Sequence, residues 1–131
     1  MHFLALVLTV LASAVMMAAK PVEKRHIGGV LICTGAHATG NCTYGVYNLD
    51  RCYNMTGTYM QNAATFAPDG EEFYCYPYIQ PCGGICTSPE GCTAGAVSYN
   101  STSRFNLTAL GGWDHYISSF ECHAGAARSI A

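Results

Sequence analysis

The chain has 131 residues, half of them hydrophobic and only 11% charged, with eight cysteines and a formal net charge of −2. From residue 26 onward three arginines, Arg51, Arg104 and Arg128, stand against seven carboxylates with no lysine, a net of −4. Binding a phosphate backbone or an anionic membrane surface depends on clustered Lys and Arg that release counterions, so this region is expected to take no nucleic acid and no membrane as partner.

The N-terminus runs apolar from Phe3 to Leu11 and on through Ala12, Ser13 and Ala14 to Ala19. Small residues at signal-peptidase spacing make residues 1–19 a signal peptide, with a second possible cut near Ala18 or Ala19. A membrane anchor is the competing reading, but the run falls short of the roughly 20 residues a spanning helix needs. Residues 20–25 follow as a short propeptide ending in Lys24-Arg25, resembling the maturation site of kexin-type proteases, so that a chance dibasic pair is set aside and the mature chain begins at His26.

Residues 26–131 are expected to form a single disulfide-rich β domain. Short segments rich in β-branched and aromatic residues, punctuated by Gly, Asn, Asp and Pro, predict strands over 27–34, 43–49, 72–79, 94–99, 104–107 and 116–122. Only 58–67 reads as one or two helical turns. The stretch from Pro81 to Cys92 packs three cysteines among Gly83, Gly84 and Gly91, whose expected role is positive φ at chain reversals. The Ala/Gly-rich tail 124–131 is expected to fray.

The cysteines are Cys33, Cys42, Cys52, Cys75, Cys82, Cys86, Cys92 and Cys122. An even set confined behind an export leader predicts four disulfides formed in an oxidising compartment, in preference to a zinc site in the 81–92 loop. A domain of this size buries only about 60 to 70 percent of its unfolded surface, so covalent staples at about 2 to 4 kcal/mol each matter to it. Eight cysteines allow 105 pairings, and spacing selects none of them. Asn41, Asn54, Asn100 and Asn106 each open an N-x-T triplet, against a chance expectation of about one, which predicts glycosylated surface loops.

Catalytic readings are thin. After dibasic cleavage His26 carries a free amine, the start of a copper histidine brace that His37, His115 or His123 would complete. Its plain counterpart is a solvated terminal histidine. Asp69, Glu71 and Glu72 lie together in a turn, whereas a glycosidase pair generally comes from separate strands. Ser118 or Ser119 with His115 or His123 lacks a Gly-x-Ser-x-Gly elbow. For recognition, Tyr74, Tyr76 and Tyr78 alternate and so share one strand face, as a sugar- or protein-binding row or as core packing. Trp113 is expected to anchor the core.

Leader, dibasic site, even cysteine set and strand-rich body together resemble the small secreted cysteine-rich proteins of filamentous fungi, many of them effector candidates. That resemblance implies extracellular action by binding, without an active site. Cys33-Thr34-Gly35-Ala36-His37-Ala38-Thr39-Gly40 and Trp113-Asp114-His115-Tyr116-Ile117-Ser118-Ser119 are also similar to βγ-crystallin Greek-key motifs. The first lacks the family's aromatics at Cys33 and Ala38. In the second, His115 replaces one of the two Asn/Asp residues of the calcium-binding version, so calcium is not expected.

The expected protein is an all-β, small disulfide-stapled antiparallel sandwich, with a βγ-crystallin-like Greek key as its named form. It is secreted and glycosylated, binds an extracellular protein or glycan in an effector-like manner, is not an enzyme, and uses no cofactor or metal. A secreted enzyme (copper histidine-brace oxidase or small hydrolase) and an antimicrobial toxin are the alternatives, although a membrane-disrupting toxin would need an amphipathic helix that the sequence lacks.

Overall fold

The computed structural model describes residues 27–85 and 92–126. The leader, Lys24-Arg25, His26, Cys86 and Gly91 lie outside them. Seven strands follow in chain order: β1 (Gly29–Gly35), β2 (Thr39–Val46), β3 (Cys52–Asn54), β4 (Thr65–Pro68), β5 (Phe73–Tyr78), β6 (Val97–Ser98) and β7 (Ser119–Ala124). They form two antiparallel sheets, one ordered β2-β1-β4 and the other β3-β7-β5-β6. Among the described residues the only helical elements are single 3-10 turns at Gly57–Tyr59, Leu107–Ala109 and Trp113–His115. None of these is long and apolar enough to cross a membrane. The all-β class read from the strand punctuation is therefore correct.

One core is shared by both sheets. Val30, Ile32 and Phe66 from the first meet Phe73, Cys75, Val97, Phe120 and Cys122 from the second, together with Met55, Ala63, Leu107 and Ile117 from the connecting segments. Phe120 is its centre: Phe66 and Tyr47 pack edge-on to it at 5.3 and 4.8 Å, and Tyr53 stacks at 5.9 Å. Fully burying a side chain of this size is worth about 1.5–3 kcal/mol, so a few such residues supply most of what a small domain gains from its interior.

Two bridges join residues that stand directly opposite each other. Cys33–Cys42 links β1 to β2, and Cys75–Cys122 links β5 to β7. Because side chains alternate with period two, a one-residue slip would turn each strand inside out, and a crosslink at a paired position forbids it. The third bridge, Cys52–Cys82, ties β3 to the segment after β5. Cys92 is disulfide-bonded as well, with its partner outside the described residues, and no described cysteine is free.

The β1–β2 hairpin turns on His37 and Ala38, both at φ 57°, the left-handed region that L side chains avoid. Its shape matches the mirror-image turns that suit twisted hairpins. The strain is met by hydrogen bonds from outside: His37 N–H donates to the Phe105 carbonyl at 2.6 Å and Ala38 N–H to Thr65 Oγ1 at 3.0 Å. At the other end of the hairpin Gly28 has φ +102°, and an added Cβ would lie 2.1 Å from the Tyr47 carbonyl oxygen.

Several expected elements differ. The helical turns over 58–67 shrink to Gly57–Tyr59, and Thr65–Pro68 becomes β4, buried throughout and paired with β1. The strand expected over 104–107 is not one, yet it runs beside β4. The Arg104 carbonyl accepts from Phe66 N–H at 2.9 Å, and Leu107 N–H donates to Ala64 at 2.8 Å. Its residues then turn into a 3-10 turn, so no ladder continues. β3 lies outside every expected strand, and the 94–99 strand reduces to Val97–Ser98. Gly83 has the expected positive φ, at 90°, but Gly84 does not. Ala124 is the last residue of β7 rather than loose tail, and Gly125 N–H donates to the Glu72 carbonyl at 2.8 Å.

Candidate binding face

Strand pairing sets what the outer face of the four-stranded sheet presents. Phe73, Cys75 and Pro77 of β5 face inward, so Tyr74, Tyr76 and Tyr78 face outward. Register places Tyr74 beside His123 and Tyr76 beside Glu121 on β7. Tyr74 and Tyr76 meet edge-on at 5.7 Å, and the His123 ring lies 5.9 and 5.7 Å from them. All three are half-buried, as planar groups lying on a sheet are.

Tyr78 does not join this row. It is fully buried, because the chain after β5 folds back over that end of the face. Ser119 Oγ donates to the Gln80 carbonyl at 2.6 Å, Cys82 N–H donates to Asn54 Oδ1 at 2.8 Å, and the Cys52–Cys82 bridge fastens the return. Its hydroxyl is buried with no hydrogen-bond partner. Burial first, then the Glu121 and Tyr76 charges, push its pKa up to about 12.

Two carboxylates complete the face. His123 Nδ1 lies at hydrogen-bonding distance, 2.9 Å, from Asp50 Oδ1. Nε2 is buried, lacks a hydrogen bond and stands 3.6 Å from Glu121 Oε2. Asp50 reaches this position from a left-handed residue (φ 60°) whose own N–H donates to the Cys122 carbonyl at 2.6 Å. The result is a small patch of two tyrosines and an imidazole flanked by acids. It suits a ligand that offers both an apolar face and hydrogen-bond donors.

The other candidate residues are dispersed. Ser118 and Ser119 are buried, and Ser119 is held by Gln80, so neither is placed as an accessible nucleophile. His115 sits in the last 3-10 turn, 3.2 Å from Asp114, and His37 is at the hairpin tip. Asp69 accepts from Tyr44 Oη at 2.5 Å, and that hydrogen bond, before burial, raises the tyrosine pKa. Among the described residues no three His, Cys, Asp or Glu side chains gather as a metal site would require. Trp113 is partly buried against the core, in contact with Tyr116 at 6.0 Å. Asn41, Asn54 and Asn100 are exposed and Asn106 half-buried.

The His123–Asp50–Glu121 cluster is absent from the sequence reading as a unit. Glu121 lies inside the strand expected over 116–122 and His123 just beyond it, two residues on, which carries part of the signal, but Asp50 arrives from 73 residues away and leaves no local trace. Comparison of the chain with protein-family models, curated proteins and solved structures finds no match.

Proposed function

We propose that this chain is a secreted, cysteine-rich glycoprotein that acts by binding an extracellular partner, protein or glycan, in the effector-like manner of the small secreted proteins it resembles. The observation that carries this reading is the Tyr74–Tyr76–His123 face. It is built on two strands that Cys75–Cys122 crosslinks from behind, so its side chains are presented on a rigid support. Rigid aromatic groups lose little freedom on association, which is why tyrosine is favoured at recognition surfaces. Glu121 and Asp50 would give the contact its polar orientation.

The test is a binding screen of the secreted protein against host extracellular proteins and glycans, repeated with Tyr74→Ala/Tyr76→Ala. A hit weakened at least tenfold by the double substitution, about 1.4 kcal/mol, is the expected result. A hit that the variant binds equally well, or turnover of a substrate by the purified protein, would contradict the proposal.

A further inference from the structure

Strand β2, eight residues long, forms one edge of the three-stranded sheet. The register shows which of its backbone groups are spent on β1. Tyr47 N–H donates to the Gly28 carbonyl at 2.9 Å, so by the alternation of antiparallel ladders Gly45 and Thr43 also bond inward, to Val30 and Ile32. Cys42, Tyr44 and Val46 are then the non-hydrogen-bonded partners of Cys33, Leu31 and Gly29. The Cα–Cα distance of 4.0 Å across Cys33–Cys42 has the close spacing of such a pair. The N–H and C=O groups of these three residues therefore point out of the sheet, and among the described residues no backbone bond takes them up.

The other described edges are covered or short. The 104–107 segment lies along β4, where Phe66 N–H donates to the Arg104 carbonyl, while β3 has three residues and β6 two. β2 carries neither a charge nor a proline, the usual guards of an edge. Its outer face presents Tyr44 and Val46, 51% and 50% exposed. Tyr44 leans back over β1: its hydroxyl donates to Asp69, and a Cβ added at Gly29 would lie 2.0 Å from that oxygen. The ring thus lies across the sheet and leaves the backbone edge open.

We infer that β2 is an association surface for a second copy of this chain, the two strands pairing antiparallel about a two-fold axis at Tyr44. Cys42 of either copy then faces Val46 of the other, Tyr44 faces Tyr44, and every outward N–H meets an outward carbonyl. Charge favours this contact: each copy is net −4 from residue 26 onward, and along β2 two such chains meet with no carboxylate in either strand. A second copy also brings a strand already extended and tied down by Cys33–Cys42, so it loses none of the chain freedom that a flexible foreign segment would lose. Regular pairing stops at Cys42 because Gly40 takes φ +79°, and a sugar on Asn41 would stand beyond the paired stretch. A stretch from Cys42 to Val46 buries well under the roughly 1,200 Å² of a stable interface, so the dimer is weak, with Kd on the order of 100 μM.

Analytical ultracentrifugation of the full chain, expressed in a glycosylating host, tests this in three forms: the parent, Val46→Pro and Val46→Thr. The weight-average mass of the parent should climb toward twice the monomer value between about 10 μM and about 1 mM. Val46→Pro removes an outward N–H and no bond to β1, at an edge position that accepts proline, and should weaken association at least tenfold. Val46→Thr keeps the N–H and should associate as the parent does. Amide hydrogen exchange in the parent needs no variant and decides the matter if Val46→Pro does not fold. The amides of Cys42, Tyr44 and Val46 should exchange more slowly at high than at low concentration, while those of Thr43 and Gly45, bonded within each copy, should not change. A parent that stays monomeric throughout, a folded Val46→Pro that associates as well as the parent, or exchange at Cys42, Tyr44 and Val46 that is independent of concentration would each overturn the inference.

Discussion

Removing the bridge inside the core, Cys75→Ala/Cys122→Ala, should cost more than removing the hairpin bridge, Cys33→Ala/Cys42→Ala. In the chain-entropy treatment a crosslink costs the unfolded ensemble about 2.1 plus 1.5R ln n cal/mol/K. The Cys75–Cys122 separation of 47 residues is then worth about 4 kcal/mol and the Cys33–Cys42 separation of 9 about 2.6 kcal/mol at 25 °C. Packing widens the difference. Cys75 and Cys122 are almost wholly excluded from solvent, so the lost sulfurs leave a void worth about 1 kcal/mol, while Cys42 is exposed and leaves none on its side. The core variant therefore loses about 5 kcal/mol, comparable to the whole stability of many small domains. At about 4–8 °C per kcal/mol, its Tm falls by at least 20 °C. Thermal and urea unfolding of both variants under non-reducing conditions measures this. A core variant no less stable than the hairpin variant would refute the reasoning that loop length and burial rank the bridges.

Other perturbations probe different parts of the molecule. Phe120→Ala removes the ring at which Tyr47, Tyr53 and Phe66 converge and should cost about 3–5 kcal/mol in urea unfolding; a loss under 1 kcal/mol would show that it is not the centre of the core. Tyr78→Phe deletes a buried hydroxyl without a partner and should leave stability unchanged or raise it by about 1 kcal/mol. Because the folded-state pKa of Tyr78 lies at about 12, above the ordinary 10.0, the unfolded chain loses this proton first. Stability should accordingly be full below pH 10 and fall as pH rises from about 10 to about 12, less steeply in Tyr78→Phe, as followed by urea midpoints across that range. Ala38→Gly relieves a left-handed alanine and should raise stability by about 1 kcal/mol; a loss would mean that Cβ makes a contact worth more than the strain.

The sequence disclosed oxidised cysteines and an all-β body because both are local or compositional signals. Pairing was hidden. Cys75 and Cys122 become neighbours only when β5 and β7 align across 47 residues, and no spacing rule foretells that alignment. β4 escapes the local pattern because its weak helical propensity is overridden once Thr65–Pro68 lies between β1 and the 104–107 segment. Period two correctly put Tyr74 and Tyr76 on one face, but it also enrolled Tyr78. The return of Gln80 and Cys82 over that end, fixed by a bridge to Cys52, buries the third tyrosine. Asp50 reaches His123 through the same kind of long-range closure.

Non-reducing peptide mapping of the purified protein bears most directly on the crosslinked framework. Proteolytic fragments should be joined through Cys33–Cys42, Cys52–Cys82 and Cys75–Cys122, with no thiol open to alkylation after denaturation. Reactive thiols, or any of these six cysteines joined to a different partner, would contradict both the sheet registers and the folded-back loop that shape the Tyr74–Tyr76–His123 face.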